Sequence, residues 1–212
     1  LVIQKFNKDN FHSLCDELGE RDEHLKNILH KYGYPPFWNR SNTFETLVLT
    51  ILEQQVSLAS AYAAYKKLKE KVSVISPSSV IALNDDELKA CYFSRQKITY
   101  VRELANHILG NNIILEDFEN TPDDKIRTEL KKLKGIGDWT VDIYLIHALQ
   151  RADIFPLGDL ALVKGLVMAK SITTIDKIEL LHIAKKWQPY RSIATMIFWH
   201  YYIKKKKIKL EY

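Results

Sequence analysis

Apolar residues along this chain recur at three- and four-residue spacing and almost nowhere at two, which commits the fold to helices. "DEHLKNILHKYG" (Asp22–Gly33) carries Leu25, Ile28 and Leu29 on one face and ends at a glycine. "YPPFWNRSN" then breaks the chain, and Ser41 or Asn42 is placed to cap the next helix. That helix, "TFETLVLTILEQQVS" (Thr43–Ser57), is apolar on nearly all sides and should lie buried at the centre. "LASAYAAYKKLKEK" is amphipathic; "SPSSVIALNDDELKACYF" reads as two short helices with Asn84 as a cap; "RQKITYVRELANHILG" stops at Gly110. "DDKIRTELKKLK", "DWTVDIYLIHALQ", "LALVKGLVMAK", "DKIELLHIAKKW" and "RSIATMIFWHYYIKKKK" continue the pattern. The best strand candidates, "KVSVISP" and "NNIILED", are too short to form a sheet of their own. The class is therefore all-α. There is no internal repeat and no low-complexity linker, so any division into subdomains comes from packing.

The 212 residues suffice for one large or two small domains, and 46% apolar with 27% charged residues describes a globular chain rather than a disordered one. No apolar run reaches the roughly 18–20 residues that span a bilayer, so no membrane partner is expected. The start, "LVIQKFNKDN", lacks a signal-peptide pattern; it also lacks Met, so a trimmed or processed N-terminus is expected. Two cysteines, Cys15 and Cys91, exclude a disulfide framework and any four-Cys zinc or iron–sulfur site. His147, His182 and His200 form no metal-ligand spacing with an acid pair. The net charge of +5 is concentrated in the tail "IKKKKIKLEY", which reads as a frayed, solvated terminus.

"LKGIGDWTVDIYL" (Leu133–Leu145) sets two glycines one residue apart just before a helix. Ile136 between them is an apolar anchor that packs back between the flanking helices. Gly135 and Gly137 can take positive φ and lack a Cβ that would hold a partner away. The amides beside Gly137 are the unpaired donors of the next helix's first turn, a site that favours an anion. "KKLKG" adds lysines, which suits a phosphate backbone. No strand precedes the glycines, which argues against a Rossmann loop.

These residues resemble the helix-hairpin-helix DNA glycosylases, in the branch that repairs alkylated bases (the 3-methyladenine type). The hairpin "GIG-x-W-T" is matched by Gly135, Ile136, Gly137, Trp139 and Thr140, and "F-P-x-x-D" by Phe155, Pro156 and Asp159. "ILEQQVS" (Ile51–Ser57), "YFSRQKITYVRELA" (Phe93, Ser94, Lys97, Tyr100, Leu104, Ala105) and "WQPYRSIAT" (Trp187, Pro189, Tyr190, Arg191, Ser192, Ala194) supply three more motifs in order. The chain departs from the pattern at Tyr92, where glycine is usual, at Glu53, where a small residue is common, and at Gly158, where Asp is frequent. These departures bear on substrate range more than on reaction type.

The resemblance implies two helical subdomains with a cleft between them: 41–150, containing the hairpin, and 1–40 plus 151–212. It implies a monofunctional, cofactor-free, monomeric glycosylase of damaged double-stranded DNA, cytoplasmic in a bacterium or nuclear in a eukaryote. Asp159 would stabilise positive charge on the deoxyribose, although "GD" before an apolar run is also an N-cap signature. Asp138 and Asp142 are its rivals in sequence, expected to face solvent or Lys. Lyase relatives place a nucleophilic Lys where Trp139 stands, and an indole cannot attack, so no strand cleavage is expected. The flipped base would lie among Trp139, Tyr190 and Gln54, with Trp199, Phe44 and Tyr62 as further candidates. DNA would be held by Gln55 (filling the gap left by the base), Ser57, Lys134, Gly135, Gly137, Thr140 and Arg191, the last able alternatively to pair with an acid. No catalytic metal is implied; a structural monovalent cation would sit on carbonyls near Leu133 and Ile136. The alternatives are a non-catalytic DNA-binding module built on the same hairpin, or a glycosylase for another damaged base.

Overall fold

The computed structural model describes residues 4–209. Among the described residues there are twelve α-helices and no strand; one isolated antiparallel bridge joins Lys5 and Arg151. The helices are α1 (Phe11–Arg21), α2 (Glu23–Tyr32), α3 (Phe44–Leu52), α4 (Leu58–Val72), α5 (Pro77–Ala82), α6 (Asp85–Ala90), α7 (Arg95–Leu109), α8 (Asp123–Leu130), α9 (Asp138–His147), α10 (Leu160–Lys170), α11 (Lys177–Ala184) and α12 (Arg191–Lys206). Short 3₁₀ turns follow α7 at Glu116–Asn120 and α11 at Lys185–Trp187. No helix among the described residues is long and apolar enough to cross a membrane. The chain forms two compact units: Arg40–Tyr144, and, of the described residues, 4–39 with Leu145–Lys209. The strand candidates formed none: "NNIILED" leads into the first 3₁₀ turn, and "KVSVISP" joins the end of α4 to the cap of α5.

The first unit is organised around α3, buried as its all-round apolarity requires. Its two buried hydroxyls are satisfied locally, Thr46 donating to the Ser41 carbonyl at 2.6 Å and Thr50 to the Thr46 carbonyl at 2.9 Å. The N-cap is Thr43, not Ser41 or Asn42; the Asn42 amide instead donates to the Leu115 carbonyl at 2.8 Å. The helix also ends earlier than its apolar run suggests. Lys97, at the start of α7, donates its amine to the Leu52 carbonyl at 2.6 Å, closing the C-terminus with a cation as the helix dipole favours. Gln55 then takes φ 56°, and the Ser57 hydroxyl accepts the Ser60 amide to start α4.

Two departures from the family pattern find their physical reason here. Tyr92 closes α6 at φ 65°, its amide bonded to the Lys89 carbonyl and the Phe93 amide to the Leu88 carbonyl. This is the left-handed position after a helix where glycine is the least strained residue. Glu53 is buried and meets Arg40 through two hydrogen bonds of 2.6 and 2.9 Å, so its charge is compensated inside the unit.

In the second unit, α12 is buried continuously from Ser192 to Tyr201, with α1, α2 and α10 packed around it. Trp187 is fully buried and donates its indole N–H to Asp22 Oδ2 at 3.0 Å, while Asp22 Oδ1 accepts the His24 amide to cap α2. The tightest approach is at Gly165, where a Cβ would stand 2.6 Å from the Phe198 carbonyl oxygen. Bare backbone there lets α10 reach α12. Gly165→Ala should therefore cost about 1–3 kcal/mol of stability by overpacking, measured by urea denaturation.

Candidate active site

The hairpin between α8 and α9 is fixed from two sides within the first unit. The turn is closed by the Ile136 amide on the Leu133 carbonyl at 3.2 Å, with both side chains buried. Gly135 has φ 84°, and a Cβ on it would stand 2.2 Å from ring carbons of Tyr100 on α7. Glu103, one turn further along α7, accepts the Lys134 amide at 2.8 Å. From the other side the Gln54 amide donates to the Gly135 carbonyl at 2.8 Å and to the Thr140 hydroxyl at 2.9 Å. Gln54 and the buried Thr140 thus brace the hairpin from within the unit.

The two glycines differ. Gly137 does not take positive φ; its carbonyl accepts the Val141 amide, and a Cβ on it would meet nothing within 4 Å. Its bareness answers to no neighbour among the described residues. Lys134 is exposed, whereas Lys131 and Lys132 pair with Asp138 at 2.6 Å and Glu129 at 2.7 Å. Exposed pairs of this kind are worth well under about 1 kcal/mol, so they leave the lysines able to exchange partners.

Gln55 and Ser57 are both exposed. Left-handed backbone costs a non-glycine residue about 1–2 kcal/mol, and at Gln55 it turns the chain sharply between α3 and α4. Trp139 lies half-buried in the first turn of α9, Phe44 is in the core, and Tyr62 stacks on Tyr65 with centroids 6.0 Å apart.

The second unit holds Asp159. A turn closes the Gly/Pro loop, with the Asp159 amide on the Pro156 carbonyl at 2.8 Å. The Asp159 side chain then caps α10, Oδ1 accepting the Leu162 amide at 2.8 Å. Trp199 of α12 donates its indole N–H to the same oxygen, also at 2.8 Å. The carboxyl group is only 8% exposed and sits at the N-terminal end of α10, with two N–H donors on one oxygen. Trp199 is itself held by stacking on His147, with centroids 5.4 Å apart and planes at 13°. His147 Nδ1 lies 3.0 Å from the Trp38 carbonyl. Trp199 is therefore a hydrogen-bond donor to the acid, a role sequence gave no sign of.

The "WQPYRSIAT" motif clamps the segment entering this loop. Ser192 Oγ donates to the Arg151 carbonyl at 2.6 Å and accepts the Ile154 amide at 2.9 Å. Arg191 forks onto Asp153 at 2.7 and 2.9 Å and also reaches the Asp153 carbonyl. Of the two roles open to Arg191, the structure shows the acid pair. Tyr190 is half-buried, with the Arg21 guanidinium 5.6 Å from its ring centroid.

The rival acids divide. Asp138 is exposed and paired with Lys131, as expected. Asp142 is buried against Arg127 rather than facing solvent. Burial pushes its carboxyl up from 3.8 to about 6, in spite of Arg127. A carboxyl that holds its proton more tightly when folded contributes stability in full below the unfolded value and loses it as pH rises through the folded one. Chemical denaturation at pH 4 and pH 7 should therefore show a larger loss for the wild type than for Asp142→Asn. The same assay should separate the glycines, with Gly135→Ala losing about 2–4 kcal/mol through strain and overlap. Gly137→Ala should lose about 1 kcal/mol or less.

Comparison with known proteins bears on this arrangement. YfjP of Bacillus subtilis is 27% identical over 187 residues, which are 82% of this chain and 64% of that protein. DNA-3-methyladenine glycosylase 1 of Schizosaccharomyces pombe is 27% identical over 188 residues, 84% of this chain and 82% of that one. The solved structure of the S. pombe 3-methyladenine DNA glycosylase Mag1 in complex with abasic DNA superposes with a TM-score of 0.82 at 25% identity, covering 94% of this chain and 99% of that one. The family model described as "HhH-GPD superfamily base excision DNA repair protein" matches residues 48–189, a span that takes in both the hairpin and the Asp159 loop. The chain belongs to the HhH-GPD superfamily.

Proposed function

We propose that this protein is a monofunctional DNA glycosylase that releases alkylated purines from duplex DNA. The observation that carries the reading is the buried Asp159 carboxylate, with two N–H donors converging on Oδ1. The names of the relatives and the DNA in the Mag1 complex support the substrate class.

An N-alkylated purine already carries positive charge. When its bond to C1′ breaks, both bonding electrons go to the base, which leaves neutral without needing a general acid. Positive charge then develops on the sugar, and a fixed carboxylate stabilises it electrostatically. Water adds to C1′ and loses a proton to solvent, leaving free base and an abasic site. Aromatic faces of Trp139 and Tyr190 would attract the cationic base before cleavage. The first-turn amides of α9, bare at Gly137 and flanked by Lys134, would grip a phosphate of the extruded strand. Gln55 would fill the space that the base vacates, with Ser57 beside it. A monovalent cation on the Leu133 and Ile136 carbonyls, which are hard oxygen donors, would brace the turn. The nucleophilic amine of lyase relatives is replaced by the Trp139 indole, so the abasic strand is left intact.

Duplexes carrying 7-methylguanine, 3-methyladenine, hypoxanthine, uracil or 8-oxoguanine test this directly. Strand breaks are expected at an alkylated purine and only after alkali. Asp159→Asn should slow release about 10²- to 10³-fold under single-turnover conditions while DNA affinity persists. Trp199→Phe, which keeps an aromatic side chain but removes the indole donor, should slow the same step by a smaller factor. Undiminished release by Asp159→Asn would sink the assignment; DNA binding with no base release from any duplex would favour the non-catalytic module.

A further inference from the structure

The chain holds 31 Lys and Arg against 26 Asp and Glu. Lys204, Lys205, Lys206, Lys207 and Lys209 account for the whole surplus of +5, so the remaining basic and acidic residues are equal in number. The first four of these lysines are not a frayed tail. Lys204, Lys205 and Lys206 form the last turn of α12. Lys207 follows at φ 51°, with the Ile208 amide bonded back to the Ile203 carbonyl at 3.0 Å and the Lys207 amide to the Lys204 carbonyl at 3.3 Å. That closure presents the cations from an ordered helix end, and all five are exposed. Lys205 lies over the Tyr201 ring at 5.9 Å, Tyr201 packs on Tyr32 at 5.4 Å, and Lys31 lies over Tyr32 at 5.8 Å, which extends the basic face onto α2.

The position of this cluster on α12 matters. Trp199, which touches Asp159, and Lys206 are seven residues apart on one helix, two turns and roughly 10 Å along a shared face. Phosphates along one strand rise about 3.4 Å per nucleotide, so that interval corresponds to about three nucleotides. A glycosylase whose other charges cancel has its surplus where it can meet phosphates near the nucleotide it extrudes.

We propose that the α12 terminus, Lys204–Lys207 with Lys209, is a second phosphate-binding surface, separate from the hairpin. It supplies sequence-independent, salt-sensitive affinity for duplex DNA. This rests on the reading that the protein works on duplex DNA. The test is fluorescence anisotropy of a labelled, undamaged duplex between 50 and 300 mM NaCl. Wild type is compared with a variant carrying Lys204→Gln, Lys205→Gln, Lys206→Gln and Lys207→Gln, and with one carrying Arg at the same four positions. The Gln variant should bind at least about tenfold more weakly at low salt, and its plot of log affinity against log salt should be shallower by about 2–4. The Arg variant should match wild type in slope. Equal slopes and affinities for wild type and the Gln variant would overturn the inference and leave the cluster as a solvated helix end, as would wild-type protein that does not bind duplex. Slopes that differ in a wild type that releases no base would keep the inference and remove the Asp159 reading.

Discussion

One oxygen atom, Oδ1 of Asp159, joins the start of α10 to the middle of α12. An acid placed in a mostly buried position needs donors, and here they include the first-turn amide of Leu162 and the indole of Trp199. Around that point the second unit is arranged to hold both elements still. Gly165 admits the backbone of Phe198, Ser192 and Arg191 bind the segment that precedes the loop, and His147 stacks behind Trp199. A carboxylate fixed in this way does not have to reorganise when a cation forms beside it, which is where electrostatic catalysis gains its advantage over water.

The first unit follows the same economy with a different product. Its hairpin is a rigid turn held by Tyr100 and Glu103 from α7 and by Gln54 from the end of α3, so that the amides preceding α9 are fixed in place. Glu53, beside Gln54, is neutralised inward by Arg40 rather than left to oppose a phosphate. The exposed members of the set, Lys134, Gln55 and Ser57, are those whose environment leaves them turned to solvent.

Much of this was legible in the sequence, for local reasons. The spacing of Leu25, Ile28 and Leu29 marked α2, and "GD" before "LALVKGL" marked both the cap and the start of α10. What was not legible came from distant partners. Nothing near Gln54 announces a bond to a carbonyl 81 residues away, and nothing near Trp199 announces Asp159, 40 residues earlier. The early end of α3 is decided by Lys97, and the fate of Glu53 by Arg40, each a tertiary contact that overrides a local pattern. Gly135 and Gly137 looked equivalent as letters, yet only Gly135 takes a positive φ against a ring.

The central claim is electrostatic: the Asp159 carboxylate faces a sugar that becomes cationic. The most direct measurement compares two abasic duplexes, one carrying a positively charged pyrrolidine in place of the sugar and one a neutral tetrahydrofuran. Wild-type protein should bind the charged duplex at least about tenfold more tightly, as expected for a mimic of the transition-state charge, and Asp159→Asn should lose that preference while binding the neutral duplex as before. A preference that survives in Asp159→Asn would show that the positive charge is read elsewhere, and would contradict the account.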